Sequence, residues 1–244
     1  MSTLRVIGGG RAGRSLALAL AQAGWRVGPI LGRGDDVSGA ARGVDLLVIA
    51  TPDAAIAEVA AAVAPAPDGA VVAHLAGSLG LDVLAPHDRR AAMHPLVALP
   101  TPEVGAERLV SGTWFAVAGD DLVRRVVDDL GGRPLEIDDA DRVAYHAAAV
   151  IASNHLVALL GQAERVAASA GVPLDAYLDL VRDTVENVAE LGPAAALTGP
   201  AARGDWATIE RHLAALDEID LRERPAYEAM VDLARRLVDD DPPS

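Results

Sequence analysis

The chain has 244 residues, enough for one large or two small domains, and 51% of them are apolar. Only 3% are aromatic, so alanine, leucine and valine must fill the core, and a formal charge of −14 opposes non-specific binding to nucleic acid. Cysteine and lysine are absent. That excludes disulfides and thiolate chemistry, together with any Schiff-base lysine or lysine general acid. We expect no metal site. No run of about 18 uncharged apolar residues stands apart as a membrane span, and the N-terminus enters a strand at once, leaving no room for a signal peptide. The expectation is a soluble, cytoplasmic protein with no membrane partner.

Leu4 to Ile7 reads as a strand, and Gly8-Gly9-Gly10-Arg11-Ala12-Gly13 after it has the form G-x-G-x-x-G. Arg14 to Ala23 reads as a helix with Leu16, Leu20 and Ala23 at helical spacing, and Gly24 as its stop. Strand, glycine turn and helix in this order are the context that a dinucleotide fingerprint requires. Gly8 would permit the tight turn, Gly10 the approach of a pyrophosphate, and Gly13 close helix–strand packing. The N–H groups at the start of the helix would face the anion. An ordinary glycine-rich turn is the competing reading.

Trp25 to Leu31 reads as the second strand, interrupted by Gly28-Pro29. Arg33 follows where an arginine would take the extra phosphate of NADP, and Arg11 could assist. Asp35 and Asp36 come slightly later and argue for NAD; the placement favours NADP. Val44 to Ala50 and Ala70 to Leu75 are apolar runs suited to buried parallel strands. Asp53 is expected to cap a helix over Ala54 to Ala64, and residues 65–69 form a turn. Ligands of open α/β sheets sit beyond the carboxyl ends of strands, which places Thr51, Pro52, Gly77 and Ser78 around a nicotinamide. Ala76-Gly77-Ser78-Leu79-Gly80 also resembles a nucleophile elbow, which would make Ser78 a hydrolase nucleophile.

Ala91 to Leu96 reads as a short strand with His94 at its carboxyl end, either near a cleft or held by backbone hydrogen bonds. Pro100-Thr101-Pro102 reads as loop, Thr113 to Ala118 as a strand, Leu122 to Leu130 as an amphipathic helix, and Pro134 to Ile137 as a last strand. From Asp138 onward the pattern is helical only. A long helix runs to Gly171, and further helices cover Asp175 to Leu191, Asp205 to Leu216 and Leu221 to Val238, before an acidic tail over residues 239–244. The fold class is α/β: a Rossmann-type doubly wound sheet over residues 1–137, followed by an all-α C-terminal domain over residues 138–244.

The middle of the long helix, Ala147 to Leu160, is apolar nearly all round and should be wrapped by other helices. Arg142, His146 and Ser153 share one narrow stripe at 3.6 residues per turn, with Asn154 at its edge. Tyr145 projects about a quarter-turn away from that stripe, and His155 points the opposite way. The polar stripe either satisfies itself in the core or lines a cleft at a domain interface.

The fingerprint, Val44 to Asp53, Met93 to Leu96, Tyr145 to Asn154 and Leu197 to Asp205 occur in that order. Together they resemble the bacterial family of Rossmann-like oxidoreductases with a C-terminal helical domain of unknown function. The resemblance spans essentially the whole chain. It implies kinship with the 6-phosphogluconate-dehydrogenase-like group, including ketopantoate and pyrroline-5-carboxylate reductases, and with it NAD(P) binding and a homodimer formed through the helical domain. Several relatives in the wider group use a lysine on the long helix; this chain has none, and His146 is the nearest candidate for that proton-handling role.

The reading that follows is an NADP-dependent oxidoreductase acting on a small carbonyl or imine, a 2-oxo acid among the options. His146 and His94 are the candidate proton donors, with Ser153 and Asn154 beside them, and Arg142 or Arg203 would clamp a substrate carboxylate. The alternative is a non-catalytic NADP(H)-binding sensor or partner-binding protein.

Overall fold

The computed structural model describes residues 1–65 and 69–239. Part of the turn expected at residues 65–69 and most of the acidic tail lie outside the described residues. Contacts divide the chain into a first compact unit, Met1–Ser153, and a second, Asn154–Ser244.

The first unit is built on a seven-stranded sheet in the order β2-β1-β3-β4-β5-β6-β7. Its strands are β1 (Thr3–Ile7), β2 (Arg26–Leu31), β3 (Leu46–Ile49), β4 (Val71–His74), β5 (Arg90–Pro95), β6 (Trp114–Gly119) and β7 (Arg133–Glu136). The first five are mutually parallel, β6 runs antiparallel to β5, and β7 is parallel to β6. The chain reverses its direction of winding between β2 and β3, so the switch point lies between β1 and β3. Ile7 pairs with Ile49 and Ile49 with His74, so the carboxyl ends of three strands open onto one edge.

Helices cover both faces, as the complete burial of β3 and β4 requires. Along β3, Leu46 and Val48 join the core that contains Leu16, Leu20 and Leu109, whereas Leu47 and Ile49 join the one that contains Ile56 and Ala60. The period of two in a strand thus feeds two separate cores. Helix α1 (Arg11–Gln22) and α3 (Pro102–Leu109) pack on the first; α2 (Asp53–Ala62) packs on the second. Helix α4 (Leu122–Asp129) buries Val123, Val126 and Val127 against the first core.

Two local expectations need correction. Asp53 does not cap α2: Pro52 is the N-cap, and Asp53 sits in the first turn, where its charge complements the helix dipole without a side-chain cap bond. Residues around Thr101 are not plain loop. Thr101 Oγ1 accepts from the Val104 N–H at 3.3 Å, and Pro102 begins α3 with its φ already suited to a helix.

The long helix opens as α5 (Arg142–Val150), passes through a π turn at Ile151–His155 and continues as α6 (Leu156–Ser169). The last strand ends at Glu136, close to the expected boundary at 138, but α5 belongs to the first compact unit. The middle of the helix, expected to be wrapped, is exposed among the described residues. Ile151 is 60% and Val157 71% exposed. By length and composition this helix of 28 residues, with an 18-residue stretch of mean hydropathy 1.5, is long and apolar enough to cross a membrane, contrary to the expectation from the sequence.

The second unit is helical: α6, α7 (Asp175–Leu191), the short α8 (Pro193–Ala196) and α9 (Pro200–Arg203), α10 (Trp206–Ile219) and α11 (Arg224–Asp239). Asp205 caps α10, accepting from the Thr208 N–H at 3.1 Å. Glu223 is buried and takes both Nε and Nη2 of Arg165, a bidentate pair joining α6 to the turn before α11.

Candidate active site

The glycine loop has the geometry of a phosphate cradle. Gly8 adopts φ +115°, and a Cβ there would lie 2.4 Å from Ala50 O, so only glycine fits. A Cβ at Gly13 would lie 2.2 Å from Gly8 O and 3.1 Å from Val6 Cγ1, which is the close helix–strand packing expected of the third glycine. At Gly10 a Cβ would meet nothing within 4 Å. Its space is open, and Gly10 is the N-cap of α1 with no side-chain cap and no acid in the first turn. Arg11 and Ala12 therefore begin a helix whose free N–H groups suit an anion. Beside the loop, at the end of β3, Thr51 Oγ1 is buried without a hydrogen-bond partner. An open glycine cradle and an orphaned hydroxyl on the same sheet edge fit a dinucleotide.

Arg33 lies exposed after β2. The two competing acids are engaged locally: Asp35 accepts the Gly32 N–H at 2.7 Å, and Asp36 accepts the Ser38 N–H at 2.9 Å. A second arginine, not singled out from the sequence, stands near the loop: Arg14 Nε is 3.7 Å from where a Gly9 Cβ would be.

The second half of the site gathers around the loop after β4. This loop, Ala76 to Leu81, is fastened to the start of α5 at both ends. Arg142 Nη2 donates to Ala76 O at 3.3 Å, and the Leu81 N–H donates to Asp139 Oδ2 at 2.9 Å. Between them Gly77 meets two imidazoles. A Cβ there would lie 2.4 Å from His146 Cδ2 and 3.1 Å from His94 Nε2. His94 and His146 stand edge to face with centroids 5.7 Å apart, and His94 Nδ1 shares a 2.7 Å hydrogen bond with Tyr145 Oη.

Burial first, then the neighbouring His146, Arg142 and His74, push the His94 pKa down to about 4. His74, fully buried, is likewise lowered to about 4 by burial and by Arg142. Its Nδ1 accepts from the Ala76 N–H at 3.2 Å. Both imidazoles are therefore neutral at pH 7. Arg142 itself is 0% exposed, and its Nε and Nη1 have no hydrogen-bond partner. Burial lowers its pKa, but an arginine remains charged.

Of the expected site residues, the structure brings His94, His146, Arg142 and Gly77 together. Ser78 is half-buried on the same loop. The nucleophile-elbow reading fails on geometry: a 3₁₀ turn rather than an α-helix follows the loop, and among the described residues no non-glycine residue has positive φ. Arg142 is enclosed, so it acts on the site as a buried charge and not as the expected open clamp for a carboxylate. Ser153 lies on the π turn and donates to Ala149 O at 2.6 Å. That turn delays the helix by about one residue, or roughly 100°, so a stripe drawn at 3.6 per turn does not continue through it. Asn154 and Arg203 belong to the second unit, where Arg203 is exposed at the end of α9.

Three participants were not read from the sequence. Tyr145 reaches His94, although its helical angle lies off the polar stripe. His74 is an ionisable residue at the end of an apolar strand, which is a signal in itself. Asp139, whose carboxylate takes the Leu81 N–H, carries no such mark, being one acid in the helical stretch that opens at Asp138.

A Rossmann-like domain is matched over residues 33–100, and DUF2520, a domain of unknown function, over residues 114–234. The chain thus joins a stretch that matches a Rossmann-like domain to one that matches DUF2520, as the resemblance in its sequence implies. No curated protein matches its sequence significantly. Three solved structures share its fold over nearly the whole length. A Bacteroides fragilis protein provisionally assigned as an NADP oxidoreductase is 21% identical, with a TM-score of 0.80 over 96% of this chain and 98% of that one. The reductive aminase of Aspergillus terreus, in complex with NADPH and ethyl levulinate, is 17% identical, with a TM-score of 0.69 over 97% of this chain and 94% of that one. The pyrroline carboxylate reductase of Plasmodium falciparum, with NADP bound, is 14% identical, with a TM-score of 0.58 over 98% of this chain and 100% of that one.

Proposed function

We propose that this DUF2520 protein is an NADP(H)-dependent reductase of small carbonyl or imine compounds. The observation that carries the reading is the pairing, on one sheet edge, of an open glycine cradle with two imidazoles at the loop after β4. Three solved structures of the same fold, described with NADP or NADPH, support it.

In this reading the N–H groups at the start of α1 hold the pyrophosphate. Arg33, with Arg11 and Arg14 nearby, takes the 2′-phosphate, since Asp35 and Asp36 are occupied by their own turn. Thr51, Pro52, Gly77 and Ser78 line the nicotinamide end. The bound cofactor supplies the hydride. The chain supplies orientation, exclusion of water and a proton, for which the imidazole pair His94 and His146 is the source. Lysine is absent from the chain, so the proton cannot come from an ammonium group.

A second copy of the chain is the occupant we assign to the apolar helical surface. Val157 on α6 and Leu180, Val185 and Leu191 on α7 are all more than half exposed. Apolar side chains exposed along two helices call for a partner, and in the water-soluble protein we propose a two-fold homodimer provides one. Cytoplasmic location follows from the same reading.

Titration calorimetry with NADPH and NADH, followed by a cofactor-dependent screen of 2-oxo acids and cyclic imines, tests the reading. Tight NADPH binding with turnover supports it. Binding without turnover favours a sensor, and no binding to either cofactor removes it.

A further inference from the structure

We infer that Tyr145 and His94 form a proton relay in which His94 Nε2–H faces the substrate and the Tyr145 hydroxyl backs His94 Nδ1. This rests on the reductase reading and names the proton path within the same site.

The geometry is specific. His94 Nδ1 lies 2.7 Å from Tyr145 Oη, whereas its Nε2 lies 3.1 Å from the position of a Gly77 Cβ, on the side of the loop after β4. The two ring nitrogens thus have separate partners, one a phenol and one the space that only a glycine leaves free. A neutral imidazole has one N–H. A phenol is a stronger acid than a neutral imidazole N–H, so the favoured arrangement has Tyr145 donating to Nδ1. The proton of His94 is then on Nε2.

Burial, and then His146 and Arg142 on α5 and His74 on β4, favour this neutral state, while Tyr145 on α5 faces the ring as a hydrogen-bond partner. A cation at Arg142 and two further imidazoles resist a second proton on His94. Burial pushes the Tyr145 phenol up, and the Arg142 charge opposes that rise. Arg142 thus acts as a positioning residue: it discourages imidazolium at His94 and favours negative charge on Tyr145.

The step balances as follows. The substrate carbon gains hydride, and its oxygen or nitrogen takes the proton from His94 Nε2 as the C=O or C=N π bond breaks. His94 Nδ1 takes the proton of Tyr145, leaving His94 as the other neutral tautomer and Tyr145 as tyrosinate beside Arg142. After product leaves, the Nδ1 proton returns to Tyr145, and Nε2 takes one proton from water. Hydride from the nicotinamide and one proton from water are the net additions.

The test is ¹⁵N NMR on histidine-labelled full-length protein, with the His94 ring assigned from a His94→Gln variant. The expected signature is Nε2 protonated and Nδ1 bare from pH 8 to pH 5. Tyr145→Phe keeps the fold and NADPH affinity, scrambles that tautomer, and slows single-turnover reduction by about 10²-fold with little change in KM. A His94 imidazolium or an Nδ1–H tautomer at pH 7 overturns the relay. So does a Tyr145→Phe rate equal to the parent's when His146→Ala is inactive. A parental protein that does not bind NADPH overturns the reductase reading instead, and leaves the ring signature unchanged, so the two failures are distinguishable.

Discussion

Gly77 and His146 define how closely the loop after β4 approaches α5: a Cβ at position 77 would fall 2.4 Å from His146 Cδ2. No rotation of an alanine methyl relieves that overlap, so either the imidazole or the loop must shift. We expect Gly77→Ala to lower kcat/KM by about 10²-fold, the scale on which displacements near 1 Å act on a positioned group. Comparing Gly77→Ala with Ser78→Ala checks this. Ser78 is half-buried on the same loop, and its loss should cost less than tenfold.

The glycine loop separates folding from binding. Gly10→Val meets open space and an ordinary φ of −73°, so its melting temperature should stay within about 3 °C of the parent. NADPH binding should be lost, because the side chain fills the space of the pyrophosphate. Gly13→Val should instead unfold more readily, since its Cβ would lie 2.2 Å from Gly8 O. Thermal melts with and without NADPH read both outcomes, and a Gly10→Val protein that NADPH still stabilises would refute the cradle.

The sheet and the first glycine loop were legible because their signals are local. β3 is apolar throughout and β4 as far as Ala73, Gly8 and Gly13 stand where only glycine fits, and Gly24 ends α1 with φ +87°. The catalytic cluster was legible only in part. His94 and His146 could be nominated from a strand end and a helix stripe, but the bond from His94 to Tyr145 joins residues 51 apart, and no periodicity encodes it. The enclosure of Arg142 depends on Ala76 from another strand's loop. The π turn at Ile151–His155 has no sequence mark comparable to a proline, and it rotates Ser153 away from the phase a regular helix would give it.

Arg33 should discriminate the cofactors. Arg33→Ala is expected to weaken NADPH binding by roughly 1.5–3 kcal/mol, the range for a hydrogen bond to a charged group, and to change NADH binding much less. Asp35 and Asp36 remain engaged with Gly32 and Ser38 in either case, so neither acid gains the ribose. Calorimetric titrations with both cofactors decide this; equal losses would show that Arg33 does not read the phosphate.

Stability should fall on acidification because of His74 and His94. Both have a folded pKa of about 4, against 6.5 for the free side chain. Between those values the unfolded chain binds more protons than the folded one, so stability rises with pH across this window and is lost as pH falls through it. The expected loss is on the order of 3 kcal/mol for each histidine between pH 6.5 and 4. Urea melts of the parent and of His74→Gln at several pH values test this, and the variant should show a shallower dependence.

The central claim is hydride transfer, and isotope transfer tests it most directly. Protein supplied with NADPH deuterated at the transferable position of C4, together with 2-oxo acids and cyclic imines, is analysed by mass spectrometry of the products. The account predicts one deuterium on the former carbonyl or imine carbon, in a reaction that Gly10→Val abolishes and Tyr145→Phe slows. NADPH that binds tightly yet transfers no deuterium to any of these compounds would contradict it.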